Sequence, residues 1–233
     1  LLSYFGRVSY NYASKYFLEG SLRKDGSSRF GPSNRWGTFY GVSAGWAIHR
    51  ENFFSGNAIS ELKPRYSYGV VGNQNIRDFL FQSIIDVGQT TLNYSLGSGI
   101  SPLAKTGIIG YRLPNQDIKW EETATQNIGL DLGVLDNALS FTFDYYKSKT
   151  KGMLVETKIP SSTGIQISPT KNAGDLENQG FELSVTYKKR EGNFKYNISL
   201  SGGTSKNKVT QLGFEGQEFV DGYVEYENYP TTR

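Results

Sequence analysis

Few residues in this sequence could perform catalysis. His49 is the single histidine, it stands beside Arg50 and Glu51, and the chain contains no cysteine. A histidine-rich zinc site and a thiolate metal site are therefore excluded, and a Ser-His-Asp triad would have to use His49. Because the sequence offers no obvious group to orient the imidazole, we interpret His49 as a turn or interface residue.

Two carboxylates offer the other possible chemistry. Asp131 and Asp144 flank the pair Asp136-Asn137, and a tight hairpin there would project both acids, offset diagonally, from one face of neighbouring strands. A retaining glycosidase holds two carboxyl groups about 5 to 5.5 Å apart. Water-facing strand positions carry carboxylates routinely, however, so we interpret the two as solvated or ion-paired. The sequence predicts no enzyme, no cofactor and no metal site.

Strands must position these residues, because apolar and polar side chains alternate with a period of two. The alternation is regular from Leu139 to Tyr146, from Phe181 to Lys188 and from Phe194 to Ser201. The sequence predicts about eight strands, at 3–12, 16–25, 36–50, 60–72, 120–135, 138–147, 178–189 and 193–205.

The lengths of the strands and of their connections indicate a membrane barrel. Most predicted strands exceed the usual length of about 5 to 6 residues in soluble sheets, and a tilted membrane strand needs about 9 to 11. Short and long connections alternate, as in transmembrane barrels with brief periplasmic turns and long extracellular loops. The short ones are 13–15, 136–137 and 190–192, with 51–59 intermediate, and the long ones are 26–35, 73–119 and 148–177. We therefore predict an all-β, antiparallel transmembrane β-barrel segment.

The bulk composition excludes other classes. The net charge is +3, from 25 basic and 22 acidic side chains spread along the chain, which gives no indication of nucleic-acid binding. The mean hydropathy is −0.47, and no stretch approaches the roughly 20 apolar residues of a membrane helix. A membrane strand exposes apolar residues only at every second position, so this polar average remains compatible with a barrel.

Aromatic residues gather near the predicted strand ends. Tyr10, Tyr12 and Tyr16 surround one short turn, and Trp36 and Trp120 stand near long loops. Amphipathic rings suit a membrane interface, so we predict that these residues belong to aromatic girdles. Ordinary strand propensity is the alternative explanation.

Four groups of motifs resemble SusC/RagA-like TonB-dependent outer-membrane transporters. The match covers most of the chain in family order, although Val71 stands where the family usually has Thr. The motifs are DGSSRFGPSNRWGTF at 25–39 with SAGW at 43–46; YGVVGNQ at 68–74; WEET at 120–123 with NIGLD at 127–131, DYY at 144–146 and ML at 153–154; and NAG at 172–174 with NQGFE at 178–182.

The resemblance implies a 22-stranded barrel in the outer membrane of Bacteroidota-type bacteria, of which residues 1–233 would form part of a single barrel domain. It implies import of oligosaccharides or peptides, driven by the inner-membrane proton gradient through TonB. A SusD-like surface lipoprotein would close over the barrel as a lid. We expect the signal peptide, the plug domain and the TonB-contacting segment to lie outside this sequence.

The Gly-rich segment 25–39 is expected to form a compact loop. We expect Gly26, Gly31 and Gly37 to adopt positive φ in turns. A ligand role for Arg29 or Arg35 is one interpretation, and packing within the loop is the one that we prefer, because turn chemistry explains most of the segment.

Substrate contacts are expected in the predicted loop 73–119. Tyr94 and Tyr111 offer aromatic faces for sugar rings, and Arg112 and Asn115 could orient hydroxyl groups or peptide carbonyls. Packing of the loops on one another or on the lipoprotein is the alternative. Two other classes stay open at this point: a soluble β-sandwich that binds carbohydrate, and an outer-membrane enzyme that would need His49 or Asp131.

Overall fold

The computed structural model describes residues 1–55, 58–87, 93–96, 103–106, 108–156, 161–163 and 169–213. These residues form fourteen β-strands and two short 3-10 helices, Ile48–Arg50 and Ser161–Thr163. The strands are β1 Leu2–Tyr12, β2 Tyr16–Gly26, β3 Trp36–Trp46, β4 Ile59–Asn73, β5 Ile84–Val87, β6 Asn93–Leu96, β7 Leu103–Thr106, β8 Ile108–Arg112, β9 Glu121–Val134, β10 Leu139–Lys151, β11 Leu154–Glu156, β12 Thr170–Asn172, β13 Gly174–Lys189 and β14 Tyr196–Leu212.

Eight long strands form one antiparallel sheet in the order β1-β2-β3-β4-β9-β10-β13-β14. Neighbouring strands of this sheet also follow each other along the chain, except that excursions of the chain separate β4 from β9 and β10 from β13. Those excursions hold the three two-stranded pairs β5–β8, β6–β7 and β11–β12. The prediction of about eight antiparallel strands is therefore confirmed. Among the described residues, no helix is long and apolar enough to cross a membrane.

Four strands differ by several residues from the predicted extents. One of them, β14, spans Tyr196–Leu212 instead of 193–205. β3 ends at Trp46 instead of residue 50, because the chain turns into the 3-10 helix Ile48–Arg50. β13 begins at Gly174, and β10 continues to Lys151, so these strands extend four residues into the predicted loop on each side. The extension follows from cross-strand bonding: polar residues such as Lys149 and Glu177 still pair backbone to backbone.

The short turns at one end of the strands have a common backbone conformation. Ala13 and Ser14 adopt positive φ values of 50° and 53°, which matches the two central residues of a type I′ hairpin. Leu135, Asp136 and Asn137 adopt 53°, 53° and 58°. Such turns follow the right-handed twist of the strands that they join. They therefore fix the pairing register of the two strands in each hairpin.

The two faces of the sheet differ sharply in chemistry, because the pairing register aligns the alternation of neighbouring strands. The apolar face carries Val8, Tyr10, Leu18, Leu22, Tyr40, Val42, Tyr66, Ile128, Leu130, Phe141, Phe143, Tyr145, Phe181, Leu183, Val185, Ile198 and Leu200. Leu200 is 74% exposed and Val8 is 73% exposed. The described residues therefore leave this face uncovered, and the opposite face, called the polar face below, is lined by Ser, Thr, Asn, Gly and charged residues.

A close approach between strands constrains Gly180. A Cβ atom at this position would lie 2.8 Å from the Tyr146 hydroxyl and would also meet the backbone oxygen of Thr204. The glycine therefore allows the Tyr146 ring to lie flat across β13. Gly202, on the neighbouring strand β14, has nothing within 4 Å of the equivalent point.

We predict that Gly180→Ala lowers the stability of the full-length protein by about 1 to 3 kcal/mol, because the added methyl group would meet the Thr204 backbone oxygen and the Tyr146 ring. Gly202→Ala is the matched control, and it should change stability by less than about 0.5 kcal/mol. The thermal unfolding midpoints of both variants measure the difference. Equal effects of the two substitutions would show that strand propensity, and not the Tyr146 contact, determines the result.

Candidate functional site: the polar face and the loop end of the sheet

An arginine on the polar face joins three strands. Arg65 projects from β4, and its Nε lies 2.9 Å from Asp131 Oδ2 on β9. Its Nη2 donates to Asp131 Oδ1 at 3.0 Å and to Asp144 Oδ2 on β10 at 3.2 Å. The two carboxylates are thus ion-paired, which is one of the two alternatives that the sequence left open. Their diagonal offset is confirmed by the pairing of Asp131 with Thr142.

Gly129 creates the space for this ion cluster. It lies directly between Arg65 and Asp144 in the register. A Cβ atom there would lie 2.6 Å from Asp144 Oδ1 and 2.7 Å from Arg65 Nη2. The side chain of Arg65 therefore crosses β9 only because that strand has no side chain at this point. Arg65 was not among the site residues predicted from the sequence. The signal was present, since two acids on adjacent strands needed a cation on the strand beside them.

The remainder of the polar face carries hydrogen-bonding groups. A groove of about 440 Å³ runs beside Arg65 and is lined by Ser9, Glu19, Lys63 and Asn127, among others. Hydroxyl groups pair across the strands at four places, with distances from 2.6 to 3.0 Å. The pairs are Thr123–Thr150, Thr125–Ser148, Ser184–Ser201 and Thr186–Ser199.

The loop end of the sheet has its own hydrophobic core. Phe30 and Ile118 are fully buried there, and Trp120 stacks on Phe30 with ring centroids 4.9 Å apart. Phe39 meets Trp120 edge-on at 5.4 Å, and Leu80 completes the cluster. The prediction that Trp120 belongs to an interfacial girdle is therefore wrong: the ring is buried because two loops and strand β3 converge on it.

Packing explains the Gly-rich segment as well. Arg29 donates from Nη1 to the Gln74 backbone oxygen at 3.1 Å, and its Nε lies 2.9 Å from Asp78, so it ties this loop to the next one. The expectation of positive φ at Gly26, Gly31 and Gly37 is wrong. Gly26 and Gly37 are required for space instead, since a Cβ at Gly26 would lie 2.9 Å from the Trp36 ring and one at Gly37 would lie 2.5 Å from the Phe39 ring. The interpretation of Arg29 as a packing residue is favoured.

Two asparagines bond the loops to each other. Asn115 Nδ2 donates to the Thr170 backbone oxygen at 2.8 Å, and its Oδ1 accepts from the Asp117 N–H at 3.2 Å. Asn172 Nδ2 donates to the backbone oxygens of Lys119 and Gly152, at 2.9 and 2.8 Å. The sequence placed Asn172 in a family motif, but its spacing gave no indication of this bridging role.

The other expected substrate contacts cannot be placed beyond their strands. Tyr94 lies in β6, and Tyr111 and Arg112 lie in β8. Their side chains fall outside the described part of the chain, so their role remains a prediction. Asn115 is the one member of the set whose side chain is described.

A second polar cluster lies at the short-turn end. Glu51 accepts from Lys15 Nζ at 2.9 Å and from Trp46 Nε1 at 3.0 Å. Hydrogen bonding from the Tyr16 hydroxyl, and then from Lys15 and Trp46, lowers the pKa of Glu51 from 4.5 to about 2. His49 lies nearby and accepts the Leu62 N–H through Nδ1 at 3.1 Å, which fits its interpretation as a turn residue.

These features define a class of protein. A long-stranded antiparallel sheet with one uncovered apolar face, one polar face, short turns at one end and a packed set of loops at the other is the wall of a transmembrane β-barrel. Residues 2–230 match the family described as TonB dependent receptor-like, beta-barrel. The chain belongs to this family, whose members are outer-membrane β-barrels, and the resemblance noted from its motifs is confirmed.

Two similar proteins are TonB-dependent receptors. The TonB-dependent receptor SusC of Bacteroides thetaiotaomicron is 36% identical over 228 residues, which cover 97% of this chain and 22% of that protein. The TonB-dependent receptor P39 of Formosa agariphila is 35% identical over 226 residues, which cover 96% of this chain and 21% of that protein. The chain therefore spans about a fifth of the length of these relatives.

A solved structure agrees with the sequence relatives. The RagAB peptide importer in its closed-closed state superposes with a TM-score of 0.78 and 29% identity. The match covers 91% of this chain and 22% of that chain. The open-open state of the same importer gives a TM-score of 0.77. The eight-stranded sheet therefore matches a portion of a known barrel wall.

We predict that Arg65→Gln destabilises the full-length protein by about 1 to 3 kcal/mol, because it leaves two partly buried carboxylates without their shared donor. The same substitution in an Asp131→Asn, Asp144→Asn background should cost much less, since no unpaired charges remain. Thermal unfolding of the four proteins in this double-mutant cycle measures the coupling. Strictly additive effects would contradict an energetic role for the ion cluster.

We predict that the turn-end contacts of Glu51 weaken in acid. Because its pKa is lower in the folded protein than the ordinary 4.5, its stabilising contribution is complete above pH 4.5 and is lost as the pH falls towards 2. The difference in thermal midpoint between the parent and Glu51→Gln should therefore narrow from neutral pH down to about pH 3. Glu191→Gln, in an exposed turn, is the control and should show no such narrowing.

Proposed function

We propose that this chain forms part of the barrel wall of a TonB-dependent importer that carries oligosaccharides or peptides across the bacterial outer membrane. Membership of the TonB-dependent receptor β-barrel family, across residues 2–230, is the observation that carries the proposal. The remaining strands, a plug domain and the TonB-contacting segment would be supplied by sequence outside this chain.

The apolar face suits contact with lipid. It carries Leu, Ile, Val and Phe over most of eight strands, and several of these side chains, including Leu183 at 46% and Ile198 at 61%, are exposed in the described structure. The six inner strands of the sheet bond to a neighbour on each side, and paired backbone groups are the condition for a sheet to lie in hydrocarbon. A soluble β-sandwich would cover this face with a second sheet, and the described residues form no such layer.

The polar face and the loop end suit the path of a polar substrate. The polar face presents ion pairs and hydroxyl groups to the barrel interior, where a plug or water would meet them. Tyr94, Tyr111 and Arg112 lie in strands of the long excursion between β4 and β9, on the loop side of the sheet. We propose that these residues contact the substrate, and that Asn115 supports the loop that carries them.

Partner proteins follow from the same proposal. The similar RagAB structure is described as a peptide importer, and a SusD-like surface lipoprotein would act as the lid over this barrel. The loop core around Phe30 and Trp120 would provide a firm base for such a lid. Transport energy would come through TonB, so no catalytic residue is needed, and Arg65 forms ion pairs with both acids that resembled a hydrolytic pair.

Uptake by cells tests the function directly. The probes are fluorescently labelled starch oligosaccharides and a labelled tryptic digest of casein, offered to the host, to a deletion strain and to the strain complemented with the full-length gene. We expect uptake of one pool to require the gene and to stop when the proton gradient is collapsed. If neither pool depends on the gene, import of these two substrate classes is contradicted.

The substrate contacts receive a test in the same assay. Tyr111→Ala and Tyr94→Ala should reduce uptake by roughly 2- to 10-fold, the value of one aromatic contact, at unchanged protein abundance. Tyr187→Ala, on the apolar face near the short turns, is the matched control and should leave uptake unchanged when corrected for abundance. Loss of uptake in the control alone would remove Tyr94 and Tyr111 from the proposed site.

Fractionation separates the proposal from a soluble binding module. The polypeptide is detected in detergent-extracted outer membranes through a peptide from this sequence, and its denatured mass is measured. We expect a species several times heavier than 26.0 kDa, accompanied by a lipoprotein on purification. A soluble species of 26.0 kDa would overturn the transporter and favour the β-sandwich.

A further inference from the structure

A basic patch interrupts the apolar face at its loop end. Along β10, β13 and β14 the register places Lys147 beside Gln179 and Lys206, and Lys149 beside Glu177 and Lys208. All of these positions share the parity of Phe143 and Leu183, so they belong to the apolar face. The sheet therefore carries four lysines and one carboxylate in two adjacent rows, which we call the lysine patch.

The single carboxylate orients the patch without neutralising it. Glu177 lies 2.6 Å from Lys147 Nζ and 3.6 Å from Lys149 Nζ. One negative charge among four ammonium groups leaves an excess of three positive charges. Lys206 and Lys208 are exposed on β14. In the patch, Glu177 therefore holds Lys147 and Lys149 in place, and the exposed Lys206 and Lys208 can extend towards a ligand.

The rows beside the patch limit its extent. The next position outward pairs Glu122 with Lys151, and Asp175 accepts the Gly152 N–H at 2.9 Å, so the positive excess ends there. On the inward side the rings of Tyr145 and Phe181 are in tilted contact, with centroids 4.8 Å apart. The positive charge is therefore confined between an aromatic row and a mixed-charge row.

The height of the patch matches the edge of a bilayer. Glu177 is ten residues from Tyr187 on β13, which corresponds to about 34 Å along a strand at about 3.4 Å per residue. At a strand tilt of about 40°, this is about 26 Å along the membrane normal, close to the apolar band of about 25 Å in outer-membrane barrels. Lysine stems can extend outward from the inner row to the same level.

Other strands lack this arrangement at their loop ends. On β2 and β3 the apolar face carries Lys24, whose Nζ lies 5.6 Å from the centre of the Trp36 ring, and Trp36 stacks on Tyr4. On β4 and β9 the row that continues to Lys149 consists of Val70 and Ala124. The lysine patch is therefore a local feature of three strands and not a ring around the described sheet.

We propose that the lysine patch binds the phosphate groups of lipid A in the outer leaflet of the outer membrane. Such a ligand places acyl chains against the apolar face and phosphates at the level of the ammonium groups, so it satisfies both halves of the surface at once. The proposal rests on the proposed function, because it requires this face to lie in the outer membrane.

The test uses the full-length protein in uncharged detergent, titrated with fluorescently labelled bisphosphorylated lipid A. Lys206→Gln, Lys208→Gln should weaken the affinity roughly 10- to 30-fold, since each lysine near an anionic lipid surface contributes a several-fold increase in binding. Lys188→Gln, Lys195→Gln removes the same charge from the short-turn end and should change the affinity by less than about twofold.

Three results would overturn the proposal: equal affinity of both double variants, equal binding of lipid A from which the phosphates have been removed, or complete displacement by inorganic phosphate at concentrations equal to those of the lipid. Uptake and membrane fractionation of the same variants keep this result apart from the proposed function. A parent protein that inserts and imports but binds dephosphorylated lipid A equally well refutes only the lipid site.

Discussion

The satisfaction of backbone hydrogen bonds in eight successive antiparallel strands is the condition on which this structure depends. Once each N–H and C=O is paired with a neighbouring strand, side chains alone decide what each face can contact. The period of two then separates an apolar face from a polar face over the whole sheet. A shift of one residue in β10 or β13 would place Phe143 or Leu183 among the ion pairs, and a shift in another strand would exchange its own faces in the same way. The tight turns at Ala13 and Asp136 are therefore essential to both faces.

The polar face shows how a flat surface of strands can hold charges at fixed points. Arg65 spans three strands, and it does so because Gly129 leaves a gap in the middle one. Gly180 has the same relation to Tyr146. In both cases a large side chain occupies the space above a glycine on the adjacent strand. Glycines in these strands therefore serve the arrangement of side chains more than the flexibility of the chain.

The alternation of residues predicted the sheet, its antiparallel order and its two faces, because those features depend on local periodicity. The location of Asp131 and Asp144 on the same face was also predictable from the hairpin that joins their strands. The burial of Trp120 was not, since it depends on Phe30 and Leu80, which come from loops that the sequence does not relate to each other. The same holds for Asn172, whose partners Lys119 and Gly152 lie 53 and 20 residues away. Loop-to-loop contacts have no period, and their residue types are compatible with many arrangements.

The shared core of the loop end has a consequence for how this surface can diversify. Phe30, Ile118 and Trp120 come from two different connections, and Asn115 and Asn172 bond these to a third. A change of length in any one connection would disturb the packing of the others. Recombination between homologous genes would therefore preserve a working surface only when it exchanges the connections as one block, and new specificities would arise by substitution on their outer sides.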